Sequence, residues 1–315
     1  GTCHIRLTLL QKYASLELQD SIYNWIVNYF QHRSHSTTFQ EQTSNRIEVT
    51  ASVVQGSSIG PASFVVTAAD LHPLSPVNAM TKFADDMYLI VPASNVNSCR
   101  LEVDHIEEWA QGNNLVLNRS KSAELVIRTK SRRSAVEPPP PVLGFTRVES
   151  LKVLGVTITN RLSLERHITD VLASCSQTMF ALRTLRAHGM PPKVVNTVFQ
   201  ATVEAKLCYA GPAWYGYATA ADRERIESFF RRAVRLGYRS VDSPTFDHII
   251  SIADDRLFEK VSLEHNHPLH PLLPAERNQQ YNLRRRHHNY VLPTKTSVNS
   301  PNFITRSLYK NNCYH

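Results

Sequence analysis

Two adjacent carboxylates, Asp85 and Asp86, lie between apolar runs in the stretch KFADDMYLIV, residues 82–91. The apolar runs predict two short strands, so the pair is expected at the corner of a hairpin. Like charges held by apolar strands are costly unless a cation compensates them, and paired carboxylates are typical ligands of Mg²⁺. The residue types therefore predict a Mg²⁺ site, with Mn²⁺ as an alternative, although an isolated Asp-Asp pair is more often an exposed turn.

Two flanking stretches favour the Mg²⁺ site over a plain exposed turn. VVQGSSIGP, residues 53–61, places Gln55 and Gly56 in a glycine-rich loop, where the backbone can approach a nucleotide or template base closely. LVLNRSKS, residues 115–122, places Lys121 in a turn, where a lysine can neutralise or protonate a leaving pyrophosphate. Each stretch alone is more often a plain turn. Together with the aspartates they indicate two-metal phosphoryl transfer, which normally needs a third carboxylate from another strand.

The hydrophobic periodicity predicts an α+β domain with an antiparallel sheet over residues 1–136. The elements predicted there are helices over 20–36, 62–71 and 96–114, a strand over 46–54, the hairpin around the aspartates, and a strand–turn–strand over 115–129. In the helix over 96–114, the residues expected to face inward are Leu101, Val103, Ile106 and Trp109. A proline-rich linker is predicted over 137–147.

A second region, residues 148–240, is predicted to hold a hairpin around Gly155 and then several helices. The helix over 163–192 is strongly amphipathic, with Ile168, Leu172, Cys175, Met179 and Leu182 on one face and Gly189 at its end. Two further helices are predicted at about 193–209 and 219–237. Beyond about residue 245 the periodicity weakens, so 241–315 is interpreted as a basic, His- and Pro-rich tail, partly disordered, whose histidines are solvated rather than bound to zinc.

The net charge of +8 is unevenly distributed, because residues 1–100 hold six basic and seven acidic side chains. The remaining residues carry a surplus of nine positive charges, which is equally consistent with a bound polyanion and with a solvated basic surface. The five cysteines form no CxxC pair, which indicates free thiols in a reducing compartment. No apolar run is long enough for a membrane span and no signal peptide is recognisable. An intracellular protein, nuclear or cytoplasmic and not secreted, is therefore expected.

Taken in chain order, QGSSIGP, FADD and LNRSKS closely resemble motifs B, C and D of reverse transcriptases, and SLKVLGVTI resembles the primer-gripping hairpin that follows. The pattern is most similar to the reverse transcriptases of non-LTR, LINE-type retrotransposons. This resemblance implies a partial polymerase palm, an antiparallel sheet with helices, followed by an α-helical thumb-like domain. It also implies an RNA template, a DNA primer and deoxynucleoside triphosphates as partners. No membrane partner is expected, and the oligomeric state is left open.

The resemblance also implies a role for each site residue. Asp85 would be the principal Mg²⁺ ligand, with Asp86 beside it, and Lys121 would assist the pyrophosphate leaving group. The residues implied to contact template, nucleotide or primer are Gln55 and Gly56 in the pocket, Ala84 beneath the primer end, and Leu154 and Gly155 in the primer grip. The residues implied to contact the nucleic-acid backbone are Arg223, Arg225, Arg231, Arg232 and Arg235.

One departure from the family pattern concerns the first metal-binding carboxylate. Of the five acidic residues before Asp85, none lies in an apolar strand of the family's first motif, which would fall before Gly1. The sequence is thus expected to be N-terminally truncated and inactive alone. Two readings stay open: a segment of an RNA-directed DNA polymerase that is active only at full length, or an inactive remnant that at most binds nucleic acid. A viral RNA-dependent RNA polymerase is disfavoured, because Gly-Asp-Asp and Ser-Gly would be expected where Ala-Asp-Asp and Gln-Gly stand.

Overall fold

The computed structural model describes residues 4–31, 33–48, 57–128, 138–277, 288–297 and 299–310. About half of the chain is helical and the strands form small antiparallel sheets, which confirms the predicted mixed α+β content. The chain divides into two compact units: residues 1–124 with 137–146, and residues 125–136 with 147–315. In the described residues, no helix combines the length and apolar character that a membrane crossing requires.

In its described residues the first unit alternates short strands with four α-helices, and a 3₁₀ helix, Ala93–Ser98, precedes the fourth. In chain order its elements are α1 (His4–Ala14), α2 (Asp20–Phe30), β1 (Ser34–His35), β2 (Thr38–Phe39), β3 (Gln42–Thr43), β4 (Ile47–Glu48), α3 (Gly60–Ala68), β5 (Ala79–Phe83), β6 (Asp86–Ile90), α4 (Cys99–Gly112) and β7 (Ala123–Glu124). A further short strand, β8 (Thr146–Arg147), lies at the boundary of the two units. Strand pairs β1–β4, β2–β3 and β5–β6 are antiparallel.

The apolar core of the first unit is small. Tyr13 of α1 packs with Ile26 and Phe30 of α2, and these three side chains are buried. The Tyr13 hydroxyl is also hydrogen-bonded to the hydroxyl of Ser63, a buried residue of α3, at 3.0 Å. Each of these two buried hydroxyl groups gives the other a hydrogen-bond partner, and the bond joins α1 to α3.

Helix α4 departs from its predicted orientation. Leu101, expected to face inward, is 64% exposed, whereas Glu102 is 1% exposed and shares the buried face with Ile106 and Ala110. The buried positions thus follow an i, i+4, i+8 period that begins with a carboxylate. The apolar pattern predicted the helix and the burial of Ile106 correctly, but it placed Leu101 inward because it excluded a charged residue from the interior.

Two strand predictions are met only in part. Of the strand predicted over 46–54, Ile47–Glu48 is a strand, and residues 49–54 lie outside the described residues. Of the strand–turn–strand predicted over 115–129, the structure contains the turn and the strand Ala123–Glu124, and residues 115–117 form no strand.

The second unit contains one hairpin followed by helices. Its elements are β9 (Ser150–Val153), β10 (Val156–Thr159), α5 (Glu165–Ala187), α6 (Pro192–Phe199), α7 (Ala205–Cys208), α8 (Gly211–Trp214), α9 (Ala220–Arg235), α10 (Phe246–Leu263) and α11 (Phe303–Lys310). A π-helical segment, Gln200–Glu204, joins α6 to α7, so the helix predicted at about 193–209 is present but widened in its middle.

Helix α5 forms the centre of a large apolar core. Its predicted inward residues Ile168, Cys175 and Leu182 are each at most 1% exposed, and α6, α9 and α10 supply the facing side chains. Burial raises the pKa of the Cys175 thiol to about 11, so this free cysteine is a packing residue at neutral pH.

The ends of the long helices follow local capping chemistry. Gly189, with φ +86°, ends α5: its amide bonds to Arg186 and the amide of Met190 bonds to Leu185, which is the Schellman arrangement. Helix α9 begins with a capping box in which Thr219 and Asp222 bond each other's backbone amides. These caps fix the helix lengths and so determine which side chains reach the core.

The sequence beyond residue 245 is more ordered than its weak periodicity indicates. Helix α10 is 18 residues long, and Phe246 and Ile250 are buried in the main core of the unit. Helix α11 is attached to α10 by Arg306, whose guanidinium makes hydrogen bonds of 2.7–3.1 Å to both carboxylate oxygens of Asp254. The sequence placed both stretches in a partly disordered tail, and the structure contains helices there because the partners that order them are distant in sequence.

Candidate functional site

The two aspartates lie at the tip of the β5–β6 hairpin, as the sequence predicts. Phe83 pairs with Asp86, so that Ala84 and Asp85 form a two-residue turn and Asp86 begins β6. Ala84 has a φ of +50°, a left-handed conformation that a residue with a Cβ adopts only at a cost of about 1–2 kcal/mol. Both carboxylates are exposed. The strands beside them are not buried either: Phe83 is 60% exposed and Ile90 is 59% exposed.

A lysine fixes the base of this hairpin. The ammonium of Lys82, one residue before the end of β5, donates hydrogen bonds to the carbonyls of Ala68 at 2.6 Å and Leu71 at 2.8 Å. These carbonyls lie at and just beyond the C-terminal end of α3, where the helix dipole favours a positive charge. Burial is the main reason that the pKa of Lys82 is lowered from its usual value. The side chain therefore ties the aspartate turn to the end of α3.

The loop that enters β5 is held by the buried carboxylate of Glu102. It accepts hydrogen bonds of 2.9 Å from the backbone amides of Leu74 and Ser75 and one of 2.7 Å from the side-chain amide of Asn78. Burial acts to raise the pKa of Glu102, but these three donors together outweigh it and the pKa is lowered. An ionised Glu102 thus sets the path of the chain into the hairpin from α4.

A second polar cluster connects α1, the end of α3 and α4. Lys12 donates to the Thr67 carbonyl at 2.6 Å, to Asp70 at 2.9 Å and to the side chain of Asn113 at 2.8 Å. The indole of Trp109 donates to Asp70 at 3.0 Å, and the Lys12 ammonium lies over this ring, 5.4 Å from its centroid. The helix end that receives Lys82 is therefore itself held in place by charge-assisted hydrogen bonds.

The other residues predicted in the first unit are not brought to the aspartates by any described contact. Gln55 and Gly56 lie outside the described residues. Lys121 is exposed in a turn that Asn118 stabilises, accepting from the Lys121 amide at 3.2 Å. In residues 57–128, no hydrogen bond or ion pair joins the Lys121 side chain to either aspartate.

The predicted primer grip is a second strained turn, in the other unit. Val153 pairs with Val156, and the two turn residues between them, Leu154 and Gly155, have φ values of +44° and +90°. Positive φ at both positions is the type I′ geometry, which matches the twist of a two-residue hairpin. The hydroxyl of Tyr209 donates to the Leu154 carbonyl at 3.0 Å, and a Cβ on Gly155 would lie 2.9 Å from the Tyr209 ring.

The five predicted arginines of α9 point to different surroundings. Arg225, Arg232 and Arg235 line an open cavity of about 540 Å³ between α5 and α9. Arg231 forms an ion pair with Glu224, which also lines this cavity, and Arg225 forms one with Asp222 at 3.3 Å. Arg223 lies over the ring of Tyr215, 4.5 Å from its centroid, in another cavity, of about 500 Å³, bordered by α10 and α11.

The groove lined by three arginines has a mixed chemical character. Arg225 donates to the hydroxyl of Thr169 at 2.8 Å, and Arg232 to that of Ser176 at 3.3 Å, both on α5. Arg232 also lies 5.2 Å from the ring centroid of Phe229. The groove thus combines three arginines, hydroxyl groups and one aromatic surface with the carboxylate of Glu224, and its arginines can donate to phosphate oxygens.

The aspartate turn supplies part of a metal-ligand set. Two exposed carboxylates on adjacent residues provide oxygen donors of the kind that Mg²⁺ accepts together with waters and substrate phosphates. Across the part of the chain that the structure describes, no group of three or more His, Cys, Asp or Glu side chains is arranged to hold a metal. The pair fits a divalent cation as two ligands of a larger set.

A family described as reverse transcriptase (RNA-dependent DNA polymerase) matches residues 6–158, which include the aspartate turn and the strained Leu154-Gly155 turn. The chain is a relative of the non-LTR reverse transcriptases. The chain corresponds to a portion of the length of those proteins, and the segment that matches the family begins in α1 and ends in β10.

Three proteins of Drosophila melanogaster are individually similar to the chain. The probable RNA-directed DNA polymerase from transposon X-element is 24% identical over 225 residues, which is 66% of this chain and 24% of that protein. The probable RNA-directed DNA polymerase from transposon BS is 25% identical over 71% of this chain and 28% of its own length. The RNA-directed DNA polymerase from mobile element jockey is 23% identical over 48% of this chain and 18% of its own length. The chain thus spans about a quarter of these reverse transcriptases.

Three residues that position the two turns were missed from the sequence. Lys82 lies directly before the FADD stretch, and a lysine inside an apolar strand could have indicated a specific polar partner. Glu102 shares a helical period with Ile106 and Ala110, which was also visible. Tyr209 contacts Leu154 across 55 residues, and nothing in the local sequence indicates that contact.

Proposed function

We propose that this chain forms the part of an RNA-directed DNA polymerase that contains the second and third catalytic carboxylates and the grip on the primer. One observation supports this most: Asp85 and Asp86 are adjacent, exposed and fixed at the tip of a two-residue turn whose base is tied to a helix end by Lys82. The Lys82 anchor restricts the backbone beneath the two carboxylates while both stay exposed, which suits a pair of metal ligands.

Asp85 and Asp86 would hold Mg²⁺, or Mn²⁺ in its place, as two oxygen ligands. When bound, the cation supplies charge neutralisation for the phosphates of a deoxynucleoside triphosphate and lowers the pKa of the attacking hydroxyl. The chain's own contribution is to keep two negative charges in place. The Lys82 anchor supports this, because it restricts the turn from below while leaving both carboxylates accessible.

The remaining roles concern the substrates of the same reaction. Gln55, Gly56 and Ala84 would contact the template base and the incoming nucleotide, and Lys121 would neutralise the leaving pyrophosphate. Leu154 and Gly155 would support the DNA primer, which would be paired to an RNA template. The strained type I′ turn and its Tyr209 contact favour a positioning role for this hairpin tip.

The arginines of α9 would contact the nucleic-acid backbone, the role of a polymerase thumb over its duplex. Arg225, Arg232 and Arg235 support this best, because they line one groove and their neighbours there include hydroxyl groups of α5. Such contacts are independent of sequence and sensitive to salt. Arg223 and Arg231 would act from the neighbouring surfaces of the same helix.

A second candidate function is binding of nucleic acid without catalysis. The observation that favours it is the lack, within the described residues, of a third carboxylate beside the aspartate turn. In that case the basic helices would retain their affinity for phosphates, and the aspartates would have no catalytic effect.

Incorporation of deoxynucleotides distinguishes the two candidates. The assay uses the chain within its complete open reading frame, an RNA template with a DNA primer, and Mg²⁺. Polymerase function predicts incorporation that Asp85→Asn reduces by at least about a thousandfold and that Asp20→Asn, an exposed aspartate in α2, leaves unchanged. If Asp85→Asn has no effect, or if no incorporation occurs while salt-sensitive binding persists, the catalytic proposal is wrong.

The groove is tested separately by the salt dependence of binding to the RNA–DNA duplex. Replacing Arg232 by Gln is expected to reduce the slope of log affinity against log salt by about one, because one phosphate contact is lost. Arg256→Gln is the matched control, since this arginine is exposed on α10 and lines neither cavity. Equal slopes in both variants would contradict a role for the groove.

A further inference from the structure

Two histidines after α10 lie at the separation of a pair of metal ligands. The Nδ1 atom of His265 is 3.1 Å from the Nε2 atom of His270, and the two rings are nearly perpendicular, with centroids 4.8 Å apart. Four residues separate them in the sequence, within a stretch, HNHPLH, that the polymerase proposal does not use. His265 is exposed and His270 is half-buried, so the pair is open to solvent from one side.

A backbone carbonyl determines which tautomer a neutral His270 adopts. Its Nδ1 atom lies 2.8 Å from the carbonyl oxygen of Val261, a fully buried residue of α10. A carbonyl oxygen can only accept, so the proton of a neutral His270 is on Nδ1 and the lone pair is on Nε2, the atom that faces His265. A hydrogen bond from the second ring nitrogen to a carbonyl is the usual outer support of a metal-binding histidine.

The turn that carries the pair is anchored rather than free. Backbone hydrogen bonds of 2.8–3.0 Å run from His267 to Glu264, from His270 to His267 and from Leu273 to His270. Leu269 and Leu273 pack against the apolar cluster around Phe258. Pro268, between the two histidines, and Pro271, directly after them, further restrict this turn, since each fixes its own φ. The approach of the two imidazoles is therefore built into the backbone.

We propose that His265 Nδ1 and His270 Nε2 bind one divalent cation of the imidazole-preferring class, with Zn²⁺ as the representative and waters completing its shell. With metal–nitrogen bonds of about 2.0–2.1 Å, a separation of 3.1 Å corresponds to an angle of ~100° at the metal, between octahedral and tetrahedral values. The rings must turn so that both lone pairs point at the ion, and His265 is exposed and can do so. Binding shifts the proton of a neutral His265 from Nδ1 to Nε2, so that both facing nitrogens present lone pairs and no proton is released.

The metal preference of this site differs from that of the aspartate turn. Neutral imidazole nitrogens favour Cu²⁺, Ni²⁺ and Zn²⁺, whereas carboxylates with waters favour Mg²⁺ and Mn²⁺. The expected affinity follows the order Cu²⁺ tighter than Zn²⁺ tighter than Mn²⁺, with Mg²⁺ excluded. Bound Zn²⁺ would link the end of α10 to the turn that follows, a structural role that is independent of whether the chain polymerises DNA.

Titration of the full chain with ZnCl₂ alone, followed by calorimetry, tests the site. We expect one Zn²⁺ per chain whose affinity falls by more than ~10-fold in His265→Gln and in His270→Gln, because each removes a direct ligand. His267→Gln is the matched control: it lies between the two, but its Nδ1 accepts from the Leu269 amide at 3.1 Å. Asp85→Asn is a second control, which separates this site from the aspartate turn.

Nitrogen-detected NMR of the histidine rings gives an independent measurement. On addition of Zn²⁺, the His265 tautomer is expected to change from Nδ1–H to Nε2–H, while the His270 Nδ1–H signal persists. Because His265 is exposed, His265→Gln should leave the fold intact, so a loss of binding in that variant is not explained by unfolding. Equal Zn²⁺ affinity in the wild type and in His265→Gln, or an unchanged His265 tautomer, overturns the proposal.

Discussion

The aspartate hairpin of the first unit and the helical core of the second are stabilised in different ways. In β5 and β6 no described residue is buried, and the hairpin is positioned by ionic and polar anchors: Lys82 at its base and Glu102 at its entry. In the second unit, α5 is surrounded by apolar side chains from α6, α9 and α10, and its ends are set by caps. The first arrangement keeps charged groups exposed and the second supplies stability.

The candidate catalytic turn therefore depends on a few specific hydrogen bonds and not on a large buried surface. An anchor of two or three charge-assisted hydrogen bonds contributes a few kcal/mol and is lost completely when one residue changes. A large side chain in an apolar core contributes as much or more, about 3–5 kcal/mol for a phenylalanine, but it does so through packing against many neighbours. Substitutions in the two units should therefore differ both in the size of their effects and in how far those effects spread.

The largest effect is expected for Phe246→Ala. Phe246 is fully buried at the start of α10, with its ring 5.4 Å from Tyr215, 5.6 Å from Phe230 and 6.2 Å from Trp214. Removing it should lower the free energy of unfolding of the second unit by about 3–5 kcal/mol. Denaturant unfolding monitored by hydrogen exchange in each unit measures this loss.

The control for that substitution is Phe180→Ala on α5, where the ring is 70% exposed. Its effect should stay within about 0.5 kcal/mol, the usual range for surface substitutions. Similar losses in the two variants would mean that α10 is not part of the core and that residues beyond 245 behave as a tail after all.

Glu102→Ala should have the next largest effect, confined to the first unit. It leaves the amides of Leu74 and Ser75 without their acceptor, which should cost about 2–4 kcal/mol. Exchange of these two amides should accelerate while the second unit is unaffected. Glu108→Ala on the exposed side of α4 is the control, and a loss that spreads equally to both units would remove the contrast between them.

Two errors of the sequence-based prediction have the same physical cause. In α4, Leu101 was placed inward although Glu102 occupies the interior, and α10 was not predicted although Phe246, Ile250, Asp254 and Phe258 are buried at a helical period. In each helix a carboxylate interrupts the apolar pattern, and its partners lie 24–28 or 52 residues away. Local periodicity contains no information on such partners.

What could be predicted depended on local chemistry alone. The inward face of α5, its glycine end and both two-residue hairpins follow from spacing and turn residues, and all are present. The same local information located Asp85 and Asp86 at a turn. It could not indicate that their strands would be exposed, because that depends on what else packs against the hairpin.

Gly155→Ala should have a smaller effect, of about 1–3 kcal/mol, on the second unit. Two costs combine: a φ of +90°, which disfavours alanine, and a Cβ placed 2.9 Å from the Tyr209 ring. Gly189→Ala separates them, since Gly189 has a φ of +86° and nothing within 4 Å of its added Cβ. The difference in unfolding free energy between the two variants isolates the Tyr209 contact, and no difference would show that Tyr209 does not restrain the turn.

The smallest effects are expected from pH, and they should have opposite signs in the two units. Glu102 has a lowered pKa despite its burial, so its contribution to stability is complete above its ordinary value of 4.5 and is lost as pH falls through the folded value. Burial raises the pKa of Asp254 more than Arg306 lowers it, so its contribution is largest below 3.8 and declines as pH rises through the folded value.

Each of these groups changes the unfolding free energy by at most about 1.4 kcal/mol per pH unit. Between about pH 3 and 6, hydrogen exchange in each unit should show that Glu102→Gln flattens the pH dependence of the first unit alone. Asp254→Asn should remove a pH dependence of the opposite sign from the second unit. The substitution also removes the ion pair with Arg306, which lowers the unfolding free energy by an amount that does not change the sign of this slope. If both substitutions change the slopes in the same direction, the pKa values of Glu102 and Asp254 are shifted in the same direction. The difference between polar anchoring of the hairpin and apolar packing of the helical core would then not extend to the titration of their carboxylates.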